Sequence, residues 1–346
     1  MIKTGISIYL GLNDYSLEEN IKYLKLAKKV GIDYCFTSAH MPEASNFDDF
    51  KKILSVIEEL DLKLIIDVSK PMMNNFVLPQ NLYALRLDWG FSDDDIVEMS
   101  NKFHCKIELN ASTLNLEKLK RLISLGINLS NIRVSHNFYP KKHTGLAIEK
   151  ISEKNKIFHQ YGLAVMAYLP SQSGKRAPLY DGLPTVERHR NLTLEIALQE
   201  LVLSGVDEVF FGDAFASISE LKYLVEFENI FTIPIKLYPN ITLFEEEILS
   251  KKHKMRIDES PLLIRSSLTR GFNVLYKTNF KQPKELDIII DNEKYLRYQG
   301  ELGILKQDIP NDERFNIVAY VKPEAKTLLS MIPAGSYFKF RIVKEE

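Results

Sequence analysis

GISIYLGLNDYSLEENIKYLKLAKKVGIDYCFTS, residues 5–38, reads as a strand, a helix and a second strand. Gly5-Ile6-Ser7-Ile8-Tyr9 is a short apolar run that ends on chemically capable residues. Ser16 followed three residues later by Glu19 is a capping box, which pairs the exposed amides of a helix start. Leu17, Ile21, Leu24 and Ala27 fall at helical spacing. Gly31 supplies the helix stop, and Tyr34-Cys35-Phe36-Thr37-Ser38 is the second strand. Parallel strands need a crossover of this kind, normally a helix.

The unit repeats outward from this stretch. Further strand-like runs are Leu64-Ile65-Ile66-Asp67, Leu85-Arg86-Leu87-Asp88, Ile107-Glu108-Leu109-Asn110, Ile132-Arg133-Val134-Ser135, Val165-Met166-Ala167-Tyr168 and Val209-Phe210-Phe211-Gly212-Asp213. Eight such units close a parallel (β/α)8 TIM-type barrel, whose chemistry sits at the carboxyl ends of the strands. The spacing predicts this α/β barrel over residues 1–235. The texture then changes. Asp287-Ile288-Ile289-Ile290, Asn316 to Val321 and Tyr337 to Ile342 read as strands separated by turns, which predicts a small, mostly-β domain over 236–346.

Bulk composition narrows the function. Among 346 residues, 45 basic groups face 46 acidic ones, for a net charge of −1. That balance gives no global attraction to nucleic acid or an anionic membrane, so neither is an expected partner. No run approaches the roughly 20 apolar residues that span a bilayer, and the N-terminus has no basic region followed by an apolar stretch. The chain reads as cytoplasmic. Cys35 and Cys105 cannot build a disulfide framework. No HExxH-like spacing and no glycine-rich phosphate loop occurs, so no metal or cofactor is expected.

Strand residues alternate between the two faces of a sheet. With the leucines and isoleucines turned toward the helices, Arg86 and Asp88 point into the barrel. So do Glu108, Asn110, Arg133, Asn137, Ser7, Tyr9, Asp67, Met166 and Tyr168. Charged groups in an interior need partners, because desolvation is expensive. One reading is an internal ion-pair network joining Arg86 and Arg133 to Asp67, Asp88 and Glu108. The other is a deep polar substrate pocket, and the two are compatible.

Carboxylates from neighbouring strands could form the acid and base pair of a glycosidase. Asp67, Asp88 and Glu108 are candidates from the barrel, and Glu187 from the long polar loop Pro170 to Asn191. Spacing alone does not select the pair. Candidate substrate ligands are the polar groups at strand ends: Tyr9, Ser38, Arg86, Asn110, His136, Asn137, Tyr168 and Asp213. Arg190, in the loop segment Asp181 to Arg190, suits phosphate or carboxylate recognition. His40 after the second strand resembles His136 as a polar candidate.

These motifs together resemble the bacterial 6-phospho-N-acetylmuramidase family. The likeness is carried by Gly5 to Tyr9, Phe36-Thr37-Ser38, Leu85 to Asp88, Asn110-Ala111-Ser112, His136 to Pro140, Gly182 to Arg190 and Phe211-Gly212-Asp213. It continues through Arg256-Ile257-Asp258, Ile264 to Ser267 and Arg297 to Leu302 into the C-terminal domain. The resemblance implies a cyclophilin-like β barrel for that domain. It implies an intracellular exo-acting glycosidase of peptidoglycan recycling. The implied substrate is N-acetylmuramic acid 6-phosphate β-1,4-linked to N-acetylglucosamine, phosphorylated during uptake. Such a doubly anionic disaccharide needs cations near the barrel mouth, for which Arg86, Arg190 and Arg265 of the second domain are the choices. Retention, inversion and substrate assistance stay open, as does a homodimer. Two competing expectations are a sugar-phosphate lyase or isomerase on the same barrel and a non-catalytic carbohydrate-binding protein.

Overall fold

The computed structural model describes residues 2–11, 14–38, 47–73, 78–228 and 230–344. Eight parallel strands close a barrel in chain order: β1 (Lys3–Ser7), β2 (Tyr34–Ser38), β3 (Lys63–Val68), β4 (Leu82–Leu87), β5 (Lys106–Asn110), β6 (Ile132–Ser135), β7 (Val165–Leu169) and β8 (Glu208–Phe211). β1 pairs with both β2 and β8, which seals the ring. The helices are α1 (Leu17–Val30), α2 (Phe47–Glu59), the single turn α3 (Lys70–Met73), α4 (Asp93–Lys102), α5 (Leu116–Ser124), α6 (Ile148–Gln160), α7 (Leu194–Leu203) and α8 (Ile218–Val225).

The local signals act as read. The Ser16 hydroxyl accepts from the Glu19 amide, and the Glu19 carboxylate accepts from the Ser16 amide. Gly31 closes α1 at φ 109°, where a side chain would be strained. Inside the barrel the aromatic rings need room. A Cβ on Gly5 would lie 2.5 Å from the Phe210 ring, so a glycine on β1 makes space for a phenylalanine on β8. Tyr34, Phe36, Ile65, Ala84, Met166, Tyr168 and Phe210 form the buried cluster around it.

The chain divides between Phe227 and Glu228. That is earlier than the expected 235/236 division. The segment Ile233-Pro234-Ile235-Lys236 lies in β9 (Phe231–Leu237), which pairs with strands of the second unit and none of the barrel. The second unit continues with α9 (Leu243–Ser250), β10 (Lys252–Lys254), β11 (Leu263–Arg265), β12 (Asp287–Asp291), β13 (Leu302–Leu305), β14 (Phe315–Val321), α10 (Lys326–Met331) and β15 (Tyr337–Ile342). Its sheet order is β10-β15-β9-β14-β12-β13-β11. Pairing is antiparallel except between β9 and β15. A bridge from Met255 to Ser266 joins the chain next to the two edge strands, so the sheet curls on itself. Ile289, Leu305, Phe315 and Ile317 pack in its core.

Candidate active site

A line of alternating charges crosses the barrel interior. Register aligns Asp67 with Arg86, Arg86 with Glu108, and Glu108 with Arg133 on successive strands. Lys3 Nζ lies 3.1 Å from Glu208, and Arg133 Nη2 lies 2.6 Å from the other Glu208 oxygen. Arg133 Nε is 2.8 Å from Glu108 Oε2, and Arg86 Nε is 3.8 Å from Glu108 Oε1. Arg86 Nη1 then meets Asp67 Oδ1 at 2.7 Å and Asp88 Oδ1 at 3.8 Å. Burial opposes the charge on Arg86, but Asp67 and Glu108 outweigh it and raise its pKa. The same balance, with Glu108 and Glu208, raises that of Arg133.

The line therefore joins both sequence readings. Its lower part is structural. Glu108, Arg133 and Glu208 are sealed from solvent, so Glu108 stands as the counter-ion of two arginines and has no access to a substrate. Its upper end is open. Asp67 is nearly buried, whereas the Asp88 side chain is 33% exposed just beyond the end of β4. Arg86 also donates to Ser135 Oγ at 3.1 Å and to Asn137 Oδ1. Asn137 is held in turn by Ser112, whose hydroxyl accepts from the Asn137 amide, and Asn110 Oδ1 accepts from the Ser112 amide. Arg86, Asp67, Asp88, Asn110 and Asn137 thus gather at one sector of the rim, over β3 to β6. Next to them the Tyr168 hydroxyl is buried with no hydrogen-bond partner among the described residues, and burial pushes its pKa well above 10.

Aromatic rings line the remainder of the mouth. Phe138 stands edge-on to Tyr168, Phe36 and Tyr9 at centroid distances of 5.1, 6.3 and 6.5 Å. Ser38 ends β2, with its Oγ buried and unpaired among the described residues. His40 lies outside the described residues. The arrangement is a small polar patch of carboxylates and amides on an aromatic surface, suited to binding a sugar ring and moving a proton to and from it.

Five expected site residues serve other ends. Glu187 accepts from the amides of His143 and Gly145 at 2.8 Å each and pairs with Arg190 at 2.9 Å. The Arg190 hydrogen bonds hold its carboxyl down at about 2 against the opposing effect of burial, which does not suit a proton donor. Arg190 is buried and spends its donors on Glu187 and on the carbonyls of Tyr139, Lys141, Asp181 and Gly182, so none is left for a phosphate. Asp213 is buried and accepts from the amides of Ser171, Arg176 and Leu183 at 2.9 Å each, which anchors the long loop. His136 faces the helices: its Nε2 lies 2.8 Å from Asn155 Oδ1 on α6. Burial lowers its pKa to about 4, so it is neutral near pH 7. Strand parity explains this, because His136 lies between Ser135 and Asn137 and takes the opposite face. Arg265 lies on β11 of the second unit and pairs with Asp258 at 2.9 Å.

Two residues at the mouth escaped the sequence reading. Trp89, the one tryptophan of the chain, is 58% exposed and lines a cleft of about 230 Å³ with Asp88 and Asn110. Arg176 sits in the loop after β7, its guanidinium carbon 4.2 Å from the centroid of the Tyr9 ring. Sequence signals existed for both. Trp89 directly follows a candidate acid, and Lys175-Arg176 is a cationic pair with no acid anywhere between Leu169 and Tyr180.

The comparisons agree with this architecture. The family described as "6-phospho-N-acetylmuramidase, N-terminal" matches residues 4–226, and its C-terminal counterpart matches residues 231–341. An uncharacterized protein of B. cereus is similar in structure at a TM-score of 0.86 and 28% identity, over 98% of this chain and 99% of that one. A conserved protein of unknown function from Enterococcus faecalis is similar at a TM-score of 0.69 and 28% identity, over 98% and 96% of the two chains. No curated protein matches the sequence.

Proposed function

Since the chain belongs to the 6-phospho-N-acetylmuramidase family, whose activity is that of a glycosidase, we propose that it hydrolyses N-acetylmuramic acid 6-phosphate-β-1,4-N-acetylglucosamine. The reaction would serve peptidoglycan recycling inside the cell. Among the described residues no helix is long and apolar enough to cross a membrane.

One observation carries the chemical part of this reading. Asp67 and Asp88 both approach the same nitrogen of Arg86, at 2.7 and 3.8 Å. Laid end to end, those contacts limit the two carboxylate oxygens to 6.5 Å apart. Retaining glycosidases hold their carboxyls about 5–5.5 Å apart, whereas inverting ones need about 6.5–9.5 Å to admit a water. A span of at most 6.5 Å between Asp67 Oδ1 and Asp88 Oδ1 favours retention, either through a covalent intermediate or through attack by the substrate's own acetamido group. Asp88, at the open edge, delivers the proton to the leaving oxygen. Asp67, buried and fixed by Arg86, steadies the other side of the reacting centre.

Purified protein incubated with the phosphorylated and unphosphorylated disaccharides tests the activity. Hydrolysis of the phosphorylated form is expected. Binding without turnover of either would support the carbohydrate-binding alternative. Proton NMR of the first-formed sugar tests the stereochemistry: release of the β-anomer supports retention, and the α-anomer overturns it.

A further inference from the structure

The substrate proposed above carries a phosphate, yet the arginines that sequence reading assigned to it are already engaged. Arg86 is shared among Asp67, Asp88 and Glu108. Arg190 is spent on Glu187 and four carbonyls. Arg265 pairs with Asp258. Arg176 differs from all three. Among the described residues no carboxylate pairs with its guanidinium, and its Nε is buried with no hydrogen-bond partner. A buried charged donor left unsatisfied is costly and calls for an explanation.

Its surroundings hold it in readiness. The Arg176 amide donates to Asp213 Oδ1 at 2.9 Å. On either side of it, the Tyr15 hydroxyl donates to the Lys175 carbonyl at 3.1 Å and accepts from the Ala177 amide at 3.3 Å. Just before it, Gly174 packs so closely on the loop after β8 that a Cβ would lie 2.3 Å from the Phe215 carbonyl oxygen. The backbone is thus clamped at four consecutive residues. The guanidinium lies over the Tyr9 ring and interacts with the Tyr9 side chain, which supports its charge, and its terminal nitrogens remain for a ligand. The loop carrying Arg176 leaves β7 and its guanidinium reaches Tyr9 just beyond β1; β8, the strand between these two, is four strands from β4, so the guanidinium lies on the side of the ring opposite Asp88. Tyr9, Phe138 and Tyr168 bridge the space between them.

We propose that Arg176 is the phosphate-binding residue, its guanidinium edge receiving the 6-phosphate while the glycosidic bond lies over Asp67 and Asp88. The assignment rests on the substrate reading above and deepens it. An anion supplies acceptors for the terminal Nη1 and Nη2, which no carboxylate occupies among the described residues, and a pre-positioned fork loses little entropy in binding it. Lys175, its neighbour, adds a second positive charge on the same loop.

The test compares wild type with R176A and R176K. kcat/KM is measured on both disaccharides, and inorganic phosphate binding by calorimetry. R176A is expected to lower the preference for the phosphorylated disaccharide by about 100-fold and to weaken phosphate binding. R176K is expected to recover part of each, because it keeps the charge and loses the fork. The unphosphorylated disaccharide retains the lactyl carboxylate. An equal loss on both substrates would therefore assign Arg176 to that group or to folding, and overturn the proposal. Unchanged phosphate binding in R176A would overturn it too. Failure of the substrate reading looks different: wild type would hydrolyse neither disaccharide, while loss of phosphate binding in R176A would still support the site.

Discussion

Asp67 and Asp88 share one arginine but not one environment. Asp67 is nearly buried and tightly bonded, whereas Asp88 is half-exposed and farther from the guanidinium. Substituting either by asparagine is expected to lower kcat at least about 100-fold. The two variants separate on a substrate with an activated leaving group, such as an aryl glycoside. Asp88→Asn should recover most of its rate there, since a good leaving group needs no proton, and Asp67→Asn should not. Equal behaviour of the two would refute the division of roles. Arg133 belongs to the structural part of the charge line. Arg133→Met leaves Glu108 and Glu208 short of a counter-ion in a dry interior and is expected to cost about 3–5 kcal/mol of stability, read from denaturant unfolding. Legibility differed between these residues. The polar interior followed from alternation alone, because Arg86 and Asp88 flank an outward leucine. Which charges neutralise which required the closed ring, since Glu208 meets Arg133 across 75 residues of sequence.

At the scale of elements, the loop after β7 departs most from its sequence reading. Its acid, imidazole and arginines suggested chemistry, yet Glu187, Arg190, Arg188 and His189 brace one another and Glu200. Glu187→Gln is therefore expected to lower stability by about 1–3 kcal/mol while sparing the chemical step, which thermal melts and kcat together would show. The pH dependence has a definite sign. Because the folded state holds the Glu187 carboxyl at about 2, below its ordinary 4.5, its stabilisation is present above about pH 4.5 and is lost as pH falls toward 2. Glu187→Gln should abolish that part of the acid sensitivity. The β4–α4 connection offers a spectroscopic test. Trp89 is the chain's single tryptophan and lines the cleft beside Asp88, so saturating N-acetylglucosamine should shift its emission. An unaltered spectrum would place the second sugar elsewhere.

For the whole molecule, hydrolysis is expected to survive a chelator. The proposed chemistry needs two carboxylates, and among the described residues no group of three or more histidine, cysteine, aspartate or glutamate side chains is arranged to hold a metal ion. Loss of activity in EDTA, restored by a divalent cation, would contradict the two-carboxylate site. Sequence by itself determined the eight-unit barrel, the β-rich second unit and the sector of strands that carries the acids. Those features depend on periodicity, caps and glycine stops, which act over a few residues. Only the tertiary structure decided that β9 belongs to the second sheet, that Glu108 and Arg190 are already neutralised, and that Arg176 has no carboxylate partner among the described residues. A charge is engaged or available according to what stands within a few ångströms of it, and those neighbours come from strands and loops far apart in the chain.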